Sequence, residues 1–253
     1  MARQLPADQP VYALQAAGLY GGRAPQTEVK DMAALYLDEI ATVQPQGPYR
    51  IGGYCFGALV AYEMAAQLQS RGEEVELLIS FNGPSPSYLR RYKPLFGGEG
   101  ALTNESGEVV REAAWQAAAG LSTQGQRPGA ARRLVRRFRW RLRRLPRRAR
   151  IEAALRLRRP LPDDLREAGV FQLIAARAQD RYQPGRVRAD MVVVSGEGLY
   201  YREDVGWGDD VDGNVEVVLV SGAHLTPRAS MRADAVGPIV AAVAERLKQL
   251  DPV

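Results

Sequence analysis

Apolar residues along this chain fall into two alternating rhythms. Five short runs have strand length and β-branched or apolar character: Val11–Gln15, Tyr49–Gly52, Val75–Phe81, Met191–Ser195 and Val215–Val220. The later runs are continuously apolar, the pattern of strands buried on both faces of a parallel sheet. Between them the period becomes helical. In Glu28–Gln44, the positions Val29, Met32, Ala33, Tyr36, Ile40 and Val43 share one face, and near the end Val236, Val240, Val243, Leu247 and Leu250 do the same. Alternating strands and helices predict an α/β fold with a mostly parallel sheet and helices on both faces. From about Pro84 to Pro184 the rhythm breaks. A Gly97-Gly98-Glu99-Gly100 loop and helix-prone stretches without a clear strand predict a helical insertion between two strands of the sheet. At 253 residues, the chain is long enough for one large domain of this class.

One junction in this pattern carries chemistry. Gly53-Tyr54-Cys55-Phe56-Gly57 joins the strand-like Tyr49–Gly52 to the helix-like Ala58–Leu68. Strand, tight glycine turn and helix form the context of a nucleophile elbow, usually written G-x-S-x-G, here with Cys55 at the nucleophile position. The turn crowds its backbone against the neighbouring helix and strand, so small residues are needed, and Gly53 and Gly57 supply them. The helix N-terminus is expected to favour the Cys55 thiolate; lowering a thiol pKa from about 8.5 to about 7 corresponds to about 2 kcal/mol. The Phe56 N–H would face a developing oxyanion. An isolated free cysteine is more often a small buried hydrophobe; two flanking glycines at a strand-to-helix junction favour the nucleophile instead. Gly52-Gly53 followed by Gly57 does not give the G-x-G-x-x-G spacing of a dinucleotide site.

Cysteine and histidine each occur once. His224, in Val220-Ser221-Gly222-Ala223-His224-Leu225, follows the last strand run and precedes the last helix. An α/β-hydrolase keeps its general base there, in the order nucleophile, acid, base. The plainer alternative is a surface-loop histidine. An imidazole so placed takes a thiol proton and returns it to a leaving group near neutral pH. The third member has rival candidates. Asn82, after Val75–Phe81, offers an amide that orients an imidazole without charge, as a Cys-His-Asn set does on another fold. Asp204 or Glu197, after Met191–Ser195, would supply a charge. Loop solvation for the acids and turn chemistry for Asn82 before Gly83 are the plainer explanations.

The overall charge of +5 hides an asymmetry. Residues 127–160 hold 15 Arg and one acid, Glu152, a local +14 that leaves −9 on the rest. Within it, Leu134, Val135, Phe138 and Leu142 share a helical face among the arginines. A basic lid of this kind would steer an acidic protein. Binding of nucleic acid or an anionic membrane is the competing reading, and it ranks lower because the rest of the body is acidic and shows no nucleic-acid motif. One cysteine excludes an internal disulfide and fits a reducing compartment. The N-terminal residues lack the apolar core of a signal peptide, and no apolar run approaches the ~20 residues that span a bilayer. These features predict a cytoplasmic protein without a membrane span.

The block Gly47–Ala65, containing Gly53-Tyr54-Cys55-Phe56-Gly57, resembles the core of thioesterase domains from nonribosomal peptide and polyketide synthases. The resemblance extends upstream to Asp8–Leu19 and downstream to Gly206-Trp207 and Ser221-Gly222-Ala223-His224, covering most of the chain outside the insertion. It implies an α/β-hydrolase fold over 1–253, with a helical lid at about 87–184. It also implies release of an acyl or peptidyl chain from the phosphopantetheine arm of a carrier protein, by hydrolysis or cyclisation through an acyl-enzyme. No bound cofactor is implied; the carrier presents the arm, and the Arg-rich lid at 127–160 would receive the carrier. The family's nucleophile is usually Ser and in a minority Cys. Its acid generally follows the strand after the elbow helix, the position of Asn82 here, so Asp204 stays in play. Members normally begin with a strand and a glycine-rich loop ahead of the Asp8–Leu19 match, and that loop gives a second oxyanion N–H. The expectation is that this N-terminal strand is missing, either because the chain is shortened or because another backbone segment substitutes. A weakly active or inactive carrier-binding protein, and hydrolysis of small acyl-CoA esters, are the other readings.

Overall fold

The computed structural model describes residues 5, 10–18, 22–92, 101–103, 109–111, 149–165, 168–196, 202–220, 241 and 243–250. The chain divides into two compact units, one drawn from 1–13, 33–122 and 182–253, the other from 14–32 and 123–181.

The first unit is built on a parallel sheet. Its strands are β1 (Tyr49–Tyr54), β2 (Val75–Phe81), β5 (Asp190–Gly196) and β6 (Val215–Val220), in the order β1-β2-β5-β6. All three pairings are parallel, with Tyr54 beside Phe81, Phe81 beside Val194, and Val194 beside Val218. Four of the five strand runs read from the sequence are therefore strands, each within two residues of its expected ends. The strand expected at Val11–Gln15 is not one: residues 10–16 take no regular structure, and Val11, Tyr12 and Leu14 are exposed. An extended propensity becomes a strand only where a neighbour accepts its hydrogen bonds. The insertion also departs from expectation. It holds a short antiparallel pair, β3 (Ala101–Thr103) and β4 (Val109–Arg111), where no strand was read.

Alternation along the strands sorts the helices to opposite faces. Leu77, Val192, Val194 and Val220 form a buried cluster, with Ile79, Phe81 and Val218 on the same side and Leu247 and Leu250 packed against it from the C-terminal helical residues. Gly53 faces the other way. A Cβ there would strike the backbone of Gly57 in α2 (Phe56–Ser70). Helix α2 is short of polar residues because nearly all of it is enclosed; Ala58–Ala65 are all buried. It ends where Gly72, at φ +82°, lets the N–H groups of Gly72 and Glu73 return to the carbonyls of Gln69 and Leu68. Two ion pairs pin the sheet: Arg50 on β1 to Glu76 on β2 at 2.7 Å, and Arg246 to Asp190 at the start of β5.

Helix α1 (Val29–Ala41) buries Val29, Met32, Ala33 and Leu37. Leu37 takes the place that periodicity assigned to Ile40 and Val43, and Val43 is exposed beyond the helix end. In the second unit, residues 149–156 are helical and Ile151, Ala154 and Leu155 are buried. A helix over Ala168–Arg181 follows, and Arg177 grips both oxygens of Glu152. Residues 112–148, with most of the Arg-rich segment, and Val236 and Val240 lie outside the described residues.

Candidate active site

Cys55 alone turns the chain from β1 into α2. Its backbone sits at φ 51°, ψ −119°, a region that side-chain-bearing residues rarely occupy and that costs about 1–3 kcal/mol. Backbone bonds hold it there: the Cys55 N–H donates to the Phe81 carbonyl at 2.8 Å, and its own carbonyl accepts the Ala58 N–H at 3.0 Å. No side chain caps the helix.

Crowding sets the turn, and the glycines are not equivalent. A Cβ on Gly53 would lie 2.1 Å from the Gly57 carbonyl carbon and oxygen, whereas a Cβ on Gly57 meets nothing within 4 Å. Only Gly53 is sterically required, which corrects the even-handed reading of the pair. Gly83 is a second tight position, which the sequence did not reveal. A Cβ there would come within 2.5 Å of the Cys55 carbonyl oxygen and the Ala58 Cβ. The loop after β2 is thus pressed directly onto the elbow.

Cys55 is exposed at its outer surface, but protein surrounds the sulfur on its other sides. That burial pushes the thiol up from its ordinary value, and the Phe56 N–H hydrogen bond opposes the shift without reversing it. Desolvation therefore works against the thiolate that the helix terminus was expected to favour.

Asn82 stands next to the elbow. It leaves β2 at φ 53°, donates its N–H to the Val194 carbonyl at 2.8 Å, and buries its amide oxygen. Because Tyr54 pairs with Phe81, the residues that follow them, Cys55 and Asn82, emerge side by side at the carboxyl edge of the sheet, on strands about 4.8 Å apart. His224 comes four residues after Val220, which closes β6 at that same edge. His224 and Glu197 themselves lie outside the described residues.

Asp204 has a full set of local partners. One carboxylate oxygen accepts from Arg202 Nε at 2.9 Å and the Gly206 N–H at 3.1 Å; the other accepts from Arg202 Nη2 at 2.7 Å and the Gly208 N–H at 3.1 Å. Partial burial works to raise this carboxyl, but Arg202 and the two N–H groups prevail and hold it below its ordinary value. The turn it organises is packed inward. Val205 and Trp207 are fully buried, the Trp207 indole donates to the Gly83 carbonyl at 2.7 Å, and its ring lies 5.3 Å from that of Tyr62. Another buried polar group escaped the sequence reading. Glu63, inside α2, accepts from the Tyr182 hydroxyl at 2.8 Å and from Gln67 Nε2 at 2.9 Å. Its only signal was an acid in the middle of an apolar helix.

A hollow of about 370 Å³ is lined by Ser87, Tyr88, Arg90, Arg91, Arg202 and Asp209, and by none of the predicted site residues. Among the described residues, no group of three or more His, Cys, Asp or Glu side chains gathers as a metal site.

A parallel sheet with helices on both faces, and a strained strand-to-helix elbow at its carboxyl edge, define an α/β-hydrolase fold. The family model for the thioesterase domain matches residues 1–242, and the chain belongs to that family. A nonribosomal peptide synthetase, apvA, from Aspergillus terreus (strain NIH 2624 / FGSC A1156) is 46% identical over 83 residues, covering 33% of this chain and 9% of the relative. A dimodular nonribosomal peptide synthase from Bacillus subtilis (strain 168) is 47% identical over 82 residues, covering 32% of this chain and 3% of the relative. The chain thus spans less than a tenth of the length of these curated relatives. Among solved structures, a four-domain nonribosomal peptide synthetase bound to AMP and glycine matches the whole chain, 18% of its own length, with a TM-score of 0.58 at 22% identity. That likeness is one of fold.

Proposed function

We propose that this chain is a cysteine-dependent thioesterase that releases an acyl or peptidyl chain from the phosphopantetheine arm of a carrier protein in nonribosomal peptide or polyketide synthesis. The observation that carries the reading is Cys55: a strained, exposed nucleophile position at the carboxyl edge, with the Phe56 N–H directed at its sulfur. In this reading His224 takes the Cys55 proton as the sulfur attacks the thioester carbonyl. Phe56 N–H stabilises the oxyanion. The carbonyl–sulfur bond to the pantetheine breaks, and the proton returns from His224 to the departing thiolate. The acyl group then passes from Cys55 to water, or to a hydroxyl or amine of its own chain. Asn82 is the better orienting partner for His224 than Asp204, because both oxygens of Asp204 already serve Arg202 and two backbone N–H groups. The Arg-rich segment 127–160 would receive the carrier.

Transfer from one sulfur to another is close to isoenergetic, so the Cys55 acyl-enzyme stays activated and attack by an amine or hydroxyl competes with hydrolysis. The test is intact-mass analysis after mixing with an acyl-loaded carrier. The expected result is an acyl adduct on the wild type, absent in Cys55→Ala, and a product ratio that changes in Cys55→Ser. No adduct, with carrier binding retained, would instead identify a carrier-binding protein without turnover.

A further inference from the structure

The helix at 149–156 ends in an unusual way. The N–H of Arg158 returns to the Leu155 carbonyl at 3.2 Å and the N–H of Arg159 to the Ala154 carbonyl at 2.9 Å, with Arg158 at φ 48°. This is a Schellman ending, whose left-handed residue is most often glycine. Helix α2 ends by the same pair of bonds and does place glycine there, Gly72 at φ +82°. The second unit spends backbone strain to hold an arginine at the same point.

What that arginine joins is an exposed basic surface. Ala149, Arg150, Ala153, Arg156 and Leu157 lie on one helical face, all exposed, and the turn adds exposed Arg158, Arg159 and Pro160. Leu157 is 63% exposed at the centre of these arginines. The acid within this helix, Glu152, is held through both its oxygens by Arg177.

We infer that this helix end, with Arg156, Leu157, Arg158 and Arg159 as its contacts, is the docking surface for an acidic helix of the carrier domain. The inference rests on the proposed thioesterase reading and gives that reading a specific contact. Charge complementarity selects an acidic partner. The small Ala149 and Ala153 form a slim strip on which another helix packs closely, and Leu157 supplies an apolar anchor; a nucleic-acid phosphate surface uses neither, and the anionic-vesicle measurement below separates a lipid surface.

The full chain is assayed with one acyl group presented in two ways: on a phosphopantetheinylated carrier domain and on N-acetylcysteamine, which has no protein surface. Replacing Arg156, Arg158 and Arg159 together by Glu is expected to raise KM for the carrier-borne substrate about tenfold and leave the small thioester unaffected. Arg158→Gly separates docking from structure: it is expected to raise the melting temperature, since glycine relieves the left-handed position, yet raise the carrier KM about threefold. The wild-type carrier KM should also climb from roughly 50 to roughly 300 mM salt, and that slope should flatten in the triple variant. An unchanged carrier KM in both variants overturns the proposal, as does a triple variant that loses only heparin or anionic-vesicle binding. If neither thioester is turned over by the wild type, the catalytic reading fails. Carrier binding by fluorescence anisotropy then decides docking: weakened by the triple Glu variant, it stands; unaffected, it falls.

Discussion

Cys55 and Val205 share a backbone peculiarity and put it to opposite uses. Both are non-glycine residues at φ 51°, in turns that follow strands of the same sheet. At the elbow the strained residue points its side chain outward, without a side-chain cap, and is held by two backbone hydrogen bonds and the crowding at Gly53. In the 202–211 turn the strained residue is fully buried, and its neighbours are tied by Asp204, Arg202 and Trp207. Strain by itself therefore does not mark an active site. What separates the two is where the side chain goes and whether the polar groups around it are already spent. Both oxygens of Asp204 are taken up in organising the turn.

Three substitutions probe this contrast. The largest effect should come from Gly53→Ala, whose methyl would overlap backbone at 2.1 Å that cannot move aside without undoing α2. A loss of about 4 kcal/mol or more is expected, read as a collapse of the urea midpoint; a variant with the wild-type midpoint would break the claim that crowding makes the elbow. Asp204→Asn should cost about 2 kcal/mol at neutral pH, a charge-assisted cluster discounted for partial exposure. The sign with pH follows from its depressed carboxyl. Its stabilisation is fully present above the ordinary carboxylate value of about 3.9 and is lost as pH falls through the lower folded value. Wild type and variant should therefore converge in acid, while the pH profile of Cys55 acylation stays the same; a shifted profile would move Asp204 into the site. The smallest effect belongs to Gly57→Ala. With open space around it, the added methyl should stabilise α2 by about 0.5–1 kcal/mol in thermal unfolding.

Much of the sheet was legible because buried parallel strands leave uninterrupted apolar runs. Met191–Ser195 and Val215–Val220 needed no further context. Val11–Gln15 has the same local character and is no strand, because pairing depends on a neighbour that no local pattern specifies. The elbow was legible through Gly53, yet its neighbour Gly83 was not, since the close approach of residue 83 to residues 55 and 58 is a long-range event. The desolvation of Cys55 was hidden for a related reason. A helix terminus is visible in sequence, whereas the mass of protein around a sulfur is not.

The sequence by itself determined the α/β class, the elbow with its cysteine, and the charge split between a basic insertion and an acidic body. Those follow from periodicity, from one glycine that the turn cannot do without, and from counting. Only the tertiary structure decided which residues stand beside Cys55, that burial pushes its thiol up, and that Asp204 is bound up in its own turn. It also decided that Glu152 is paired with Arg177 of the following helix. Burial and pairing are set by residues distant along the chain, and both solvation and hydrogen-bond occupancy depend on who those neighbours are.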